Sequence, residues 1–147
     1  MKSLPEGISL EELEWRVATD TILHLEGIPA FYYPELLEDQ YIYLFRTTRL
    51  RWQIESDMKE LPTDAPLVLE LKKLLAAGDI FQANIAKHSH PKGHKGRGVK
   101  IPRLELMKLV EEYRRDMAEP IARIITKNKV FVHSEHFKAT MLESENL

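Results

Sequence analysis

Residues 87–103 read KHSHPKGHKGRGVKIPR: six Lys or Arg, three His, and neither Asp nor Glu. Lys87, Lys92, Lys95, Arg97, Lys100 and Arg103 can each meet a phosphate oxygen. Gly93, Gly96 and Gly98 remove side chains that would hold the backbone away from a polyanion, and Lys/Gly-rich segments order on such partners. The remaining 130 residues carry 15 Lys or Arg against 23 Asp or Glu, a net −8, while the whole chain stands at −2. The positive charge is therefore local, on an acidic body that repels phosphate, and a nucleic-acid contact is expected to be local too, with Arg46, Arg49 and Arg51 extending the patch if their helix lies near. An acidic protein partner would meet the same charges, and a solvated surface loop would have the same composition. No aromatic residue interleaves with the basic ones, so the segment itself offers no base stacking.

The histidines raise the question of a metal. His88, His90 and His94 lie among prolines and glycines, a poor frame for a zinc site that needs three or four ligands held rigidly. His133 and His136 are three apart, with Glu135 between them, but straddle an element boundary, unlike the two ligands of HExxH on one helix face. No metal site and no cofactor are expected. Enzyme chemistry has as little to stand on. There is no cysteine, no G-x-S-x-G, and GHKGRG lacks the Lys-Ser/Thr end of a phosphate-binding loop. The acidic pairs Glu11–Glu12, Glu38–Asp39 and Glu111–Glu112 point about 100° apart on helices, as solvating faces do. No catalytic residue is assigned.

These residues need a scaffold. At 147 residues, 44% hydrophobic and 30% charged, the chain suits one ordinary globular domain. The first fifteen residues reach acids and a proline before any apolar run, which is not a signal peptide. No window approaches 18 apolar residues. A cytoplasmic protein with no membrane contact is the expectation.

Hydrophobic spacing predicts mostly α-helix. Ser9 and Glu12 have capping-box spacing. Leu10, Leu13 and Val17 follow on one face, and Thr19–Asp20 can cap a second short helix that Gly27 ends. Two short helices joined by a polar turn make a helix-turn-helix candidate; a plain helical hairpin is the alternative. Phe31, Tyr32 and Tyr33 sit between Pro29 and Pro34, as core or, if exposed, as an anchor for a protein partner. Trp15 and Trp52 read as core. YIYLF (41–45) fits a helix or a short strand, with helix favoured by Leu37, Tyr41, Leu44 and Thr48. A helix with Leu50, Ile54, Met58 and Leu61 in register stops at Pro62. Pro66 starts another, which Gly78 is expected to end before a short helix capped by Asp79. Pro102 opens a strong helix with Leu106, Val110, Tyr113 and Met117 on its core face, and Pro120 kinks it or starts a new one. Lys129–His133 is the best strand candidate, and Ser134 can cap a last helix with Phe137 and Met141.

Arg49 to Leu75 (RLRWQIESDMKELPTDAPLVLELKKLL) resembles the second half of MerR-like winged helix-turn-helix proteins, closest to the chaperone-modulator branch, CbpM. Arg49–Leu50–Arg51, Asp57 and Leu67–Val68–Leu69–Glu70–Leu71 take the places of that branch's helix start, acid and final helix. Leu25–Glu26–Gly27–Ile28 takes the place of its recognition-helix end. The match spans at most residues 9–76. It departs at Leu61–Pro62–Thr63–Asp64, where a glycine is usual, and in the 70 residues that follow. Lys129 to Met141 is similar to the wing strand and helix of excisionase-type proteins. Both resemblances imply DNA binding or modulation of a partner.

The expected fold is thus a small, mostly α-helical domain, with room for a winged helix-turn-helix of one or two short strands. It divides into a helical half (1–86), the basic loop (87–103) and a second helical half (104–147) packed as one unit with the first. The expected function is a non-enzymatic accessory or regulatory protein contacting DNA or RNA through residues 87–103. The alternative is a protein–protein adaptor using Phe31, Tyr32 and Tyr33, or a homo-oligomer.

Overall fold

Ser9 starts the first helix as its spacing requires. Its backbone is extended, and its Oγ accepts a hydrogen bond from the Glu12 N–H at 3.1 Å. Glu12 turns its own carboxylate to Arg16 (3.3 Å) instead of closing the reciprocal half of the box. The computed structural model describes residues 7–27, 40–87 and 102–142, with backbone alone at 40–47, 103, 136, 140 and 142. Five helices account for most of them: α1 (Leu10–Glu26), α2 (Gln40–Met58), α3 (Pro66–Ala86), α4 (Arg103–Asn128) and α5 (Glu135–Leu142). Among the described residues there is no strand, and no helix is long and apolar enough to cross a membrane.

Three expected breaks do not occur. Thr19 and Asp20 lie inside α1, so the two short helices of a helix-turn-helix are one helix here. The buried stripe Leu13, Val17, Ala18, Thr21, Ile22, Leu25 crosses them without losing its 3.6-residue period. Gly78 and Asp79 likewise lie inside α3, because Leu71, Leu74, Ala77, Phe81 and Ile85 carry one buried stripe past the glycine. Pro120 lies inside α4. It has no N–H to give the carbonyl four residues back, yet Met117, Ala118, Ile121 and Ile124 around it are buried and hold the helix in place. YIYLF belongs to α2.

The strand expected at Lys129–His133 is also absent. Lys129 ends α4 in the left-handed conformation (φ 54°), and the chain then runs without regular structure to Ser134. Val130 and Val132 are buried while Phe131 and His133 face out, the alternation of a strand. Among the described residues no second strand lies beside it. The N–H groups of His133 and Ser134 donate instead to Glu26 Oε1 of α1, at 2.7 and 3.2 Å. Ser134 then caps α5, its Oγ accepting from the Phe137 N–H at 3.1 Å.

Contacts between side chains fix the helix directions. Phe81 stacks on Tyr113 with ring centroids 4.7 Å apart, and Glu70 lies 3.7 Å from Arg123, so α3 and α4 form an antiparallel hairpin. Gln82 reaches Thr48 at 3.4 Å and Arg51 pairs with Asp79, so α2 and α3 are antiparallel as well. α1 lies across the far end: Glu14 accepts from the Leu67 N–H (2.8 Å) at the start of α3, and Thr21 meets Asp57 near the end of α2. One apolar core takes residues from all five helices.

Two stability measurements follow. A Cβ built on Gly78 would meet Tyr113 Oη at 3.5 Å, an ordinary contact. Gly78→Ala should therefore stabilise the protein by about 0.5–1 kcal/mol through helix propensity, read as a higher urea midpoint. Glu26→Ala should cost roughly 1–2 kcal/mol by orphaning two N–H groups, and Glu26→Gln, which keeps an acceptor, should cost less. Equal losses for the two variants would show that the negative charge, which both remove, matters more than the acceptor that Gln keeps.

Candidate functional site

α3 and α4 bring the ends of the basic segment together at the tip of their hairpin. Ile85, one turn or less from Lys87, is buried, and so is Leu106 one turn into α4, so both stems are held by the core. Lys87 is exposed and caps α3, its N–H bonding to Ala83 O at 3.3 Å. Arg103 is the first residue of α4. Lys92, Lys95, Arg97 and Lys100 lie outside the described residues, as do Phe31, Tyr32 and Tyr33 of the expected partner anchor and His88, His90 and His94. From Ile80 to Lys87 the end of α3 carries no acid, and Glu105 is the one acid in the first turn of α4.

Antiparallel packing also puts the N-terminal half of α2 toward this tip. Of its arginines, Arg51 is consumed structurally: it bonds Glu55 at 2.8 Å, pairs with Asp79 and touches the Leu75 carbonyl at 3.5 Å. It lies by the fully buried end of Tyr113, whose hydroxyl burial pushes far above its ordinary range; the Arg51 charge opposes that shift and Asp79 adds to it. Arg49 is exposed. Trp15 and Trp52, expected in the core, are on the surface, Trp52 with 67% of its area open. A tryptophan at an i, i+3/i+4 position reads as core only if its neighbours on that face are apolar, and those of Trp52 are Arg49, Glu55, Ser56 and Lys59.

The second concentration of chemistry lies where α1 crosses α2. Asp57 is 8% exposed and Thr21 wholly buried. The Thr21 hydroxyl is 3.0 Å from Val17 O and 3.1 Å from Asp57 Oδ2. It has one proton, which it can give to Val17 O or to Asp57 Oδ2 but not to both at once. Burial, then the hydrogen bond and the charge of Asp20, raise the Asp57 carboxyl to about 7, against smaller opposing contributions from Thr21 and Gln53. His24, one turn after Asp20, donates its Nδ1–H to the Asp20 carbonyl at 2.7 Å and lies 3.6 Å from the Asp20 carboxylate. Oxygen or nitrogen atoms of Asp20, His24 and Asp57 lie within 4.8 Å of one another, the one grouping among the described residues able to converge on a cation. His133 stands apart, exposed, 3.6 Å from Glu26 Oε2 and edge-on to Phe131 at 4.8 Å. The Asp20-x-x-x-His24 spacing on one helix was a legible signal for the cluster; its third member, 33 positions beyond His24, was not.

No protein-family model, curated protein or solved structure matches this chain.

The raised Asp57 carboxyl fixes a pH dependence. The folded state holds this proton more tightly than the unfolded chain, so its stabilisation is full below the ordinary carboxylate range and fades as pH rises through about 7. Urea midpoints should fall between pH 5 and pH 8, and Asp57→Asn, whose amide supplies a permanent donor, should flatten that fall. An unchanged slope in the variant would assign the pH dependence to other groups.

Proposed function

We propose that this chain is a non-enzymatic accessory protein that contacts nucleic acid through residues 87–103. The observation that supports the reading is the composition of that segment together with the two helix ends that flank it. Six cations without an acid join two antiparallel helix ends that the core holds rigid, at an end of the bundle where α3 and its cap contribute no acid from Ile80 to Lys87. The net −8 of the remaining chain makes the molecule polar in charge, so that a polyanion is drawn to the basic segment first. The MerR-like and excisionase-like stretches point to the same class of partner, although the phosphate contact proposed lies outside both. No reaction is assigned.

A second reading, a module that binds a protein partner, draws on the large apolar side chains that the fold leaves in water, Leu69, Leu104 and Phe131 among them. The chaperone-modulator resemblance and the aromatic stretch at 31–33 belong with it.

A salt titration separates the two. Wild type and a variant with Lys92, Lys95, Arg97 and Lys100 changed to Gln are bound to duplex DNA and to single-stranded RNA over a range of salt. Wild type should show a steep log–log slope. The variant should bind more weakly and with a flatter slope, by about 0.9 for each phosphate no longer engaged on duplex and about 0.7 on single strands. Absence of binding by wild type at low salt would overturn the nucleic-acid reading and leave the protein-partner one.

A further inference from the structure

We infer that Trp52 is a base-stacking platform, and that the nucleic acid this protein takes is single-stranded. The inference rests on the reading of residues 87–103 as a phosphate contact and adds a second point of recognition to it. Trp52 keeps two thirds of its surface in water. Its neighbours on that face of α2 are Thr48 and Arg49 one turn before it, Ser56 one turn after it and Lys59 a further turn on, all exposed. Glu55, the acid on the flank, is held by Arg51 at 2.8 Å. The face thus offers an open indole one turn from the exposed Arg49, a combination that receives a base and a phosphate.

Its position fits the tip. α2 runs antiparallel to α3, with Arg51 against Asp79. Lys87 lies eight residues further along α3, about 12 Å at 1.5 Å per residue. Helical side chains lean toward the helix N-terminus, so Trp52 covers the turn at Thr48 and Arg49, on the side of its own Cα nearer the tip. That axial offset lies within the span of the 4–16-nucleotide sites that single-strand binders use. In a duplex the bases stack on one another and show only their edges, so an indole cannot reach a base face without opening the helix. Splayed single-stranded bases present that face. An apolar protein surface would also accept a tryptophan, but the flanking Arg49 and Lys59 favour a polyanion over it.

The chain has two tryptophans, so Trp15→Phe leaves Trp52 as the sole indole. Its emission is followed in the full-length protein on adding oligo(dT), oligo(U) or a duplex of about 12 nucleotides, inside the 4–16-nucleotide range of single-strand sites. Single strands should quench it strongly and duplex weakly. Trp52→Ala should weaken single-strand binding about five- to a hundredfold, the range of one base–aromatic stack, with duplex binding unchanged and Trp52→Phe intermediate. Helical circular dichroism and the urea midpoint should match the parent in both variants, as the side chain is exposed.

Binding of single strands that depends on the loop lysines but neither quenches Trp52 nor weakens in Trp52→Ala overturns the platform and leaves the loop reading standing. Equal quenching and equal weakening on duplex overturns the single-strand assignment. Absence of all nucleic-acid binding at low salt removes both readings and assigns the Trp52 face to a protein partner.

Discussion

Every helix begins with N–H groups that its own turns cannot satisfy, and in this fold α1 supplies two of the missing acceptors. α3 starts after Ala65, which has no side chain to cap it, and Glu14 of α1 bonds the Leu67 N–H instead. The segment before α5 has the alternation of a strand but no partner strand among the described residues, and Glu26 of α1 takes its last two N–H groups. Glu14 also faces the positive end of the α3 dipole, while α5 is capped by Ser134 itself and Glu26 holds the two residues that lead into it. They are twelve residues apart on one helix, a separation of roughly 18 Å. α1 therefore acts as a ruler that sets the distance between the start of α3 and the start of α5, and the α3–α4 hairpin must project away from it. The basic tip ends up at the end of the bundle opposite those capped starts.

Between the two caps the contact of α1 with α2 is polar where an apolar pair would cost less. Thr21 and Asp57 are buried together, with Asp20 and His24 at the edge. A buried carboxyl that must hold a proton to be comfortable is a poor source of stability. It does enforce register, because sliding α2 by one residue would leave Asp57 facing Leu or Val side chains with no donor. The 13 residues between the end of α1 and the start of α2 are too many to fix the relation of the two helices by themselves. The Thr21–Asp57 junction does so near the far end of α2, while the Arg51–Asp79 pair ties α2 to α3 nearer the tip.

Hydrophobic period proved a better guide to this fold than punctuation. The core residues expected at Leu50, Ile54, Leu61, Leu106, Val110, Tyr113, Met117, Phe137 and Met141 are buried, and the caps at Ser9 and Ser134 are made. Thr19–Asp20, Gly78 and Pro120 looked like boundaries, yet in each case an apolar stripe continues on both sides, and burying it outweighs the roughly 1 kcal/mol of a glycine or the ~3 kcal/mol of a proline. Val130 and Val132 show the converse limit: alternation reports burial of every second side chain, not the presence of a second strand. The carboxyl cluster was half legible, since Asp20 and His24 share a helix face while Asp57 reaches them only through tertiary packing. Trp15 and Trp52 were misjudged because residue type was weighed before the polar neighbours on their own faces.

The exposed Trp52 acquires meaning from the same geometry that hides its role in the sequence. It lies 35 residues before the start of the basic segment, too far along the chain for the two to suggest a shared surface. Two antiparallel packings, α2 on α3 and α3 on α4, fold that separation to about 12 Å along the bundle. Charge at the tip acts over roughly a Debye length and does not distinguish one strand from two. A π-face acts only on contact and only on a base that is out of the stack. If the proposed reading holds, capture and discrimination are separate: the basic segment would set how fast and how salt-sensitively a polyanion arrives, and the indole would decide whether it stays.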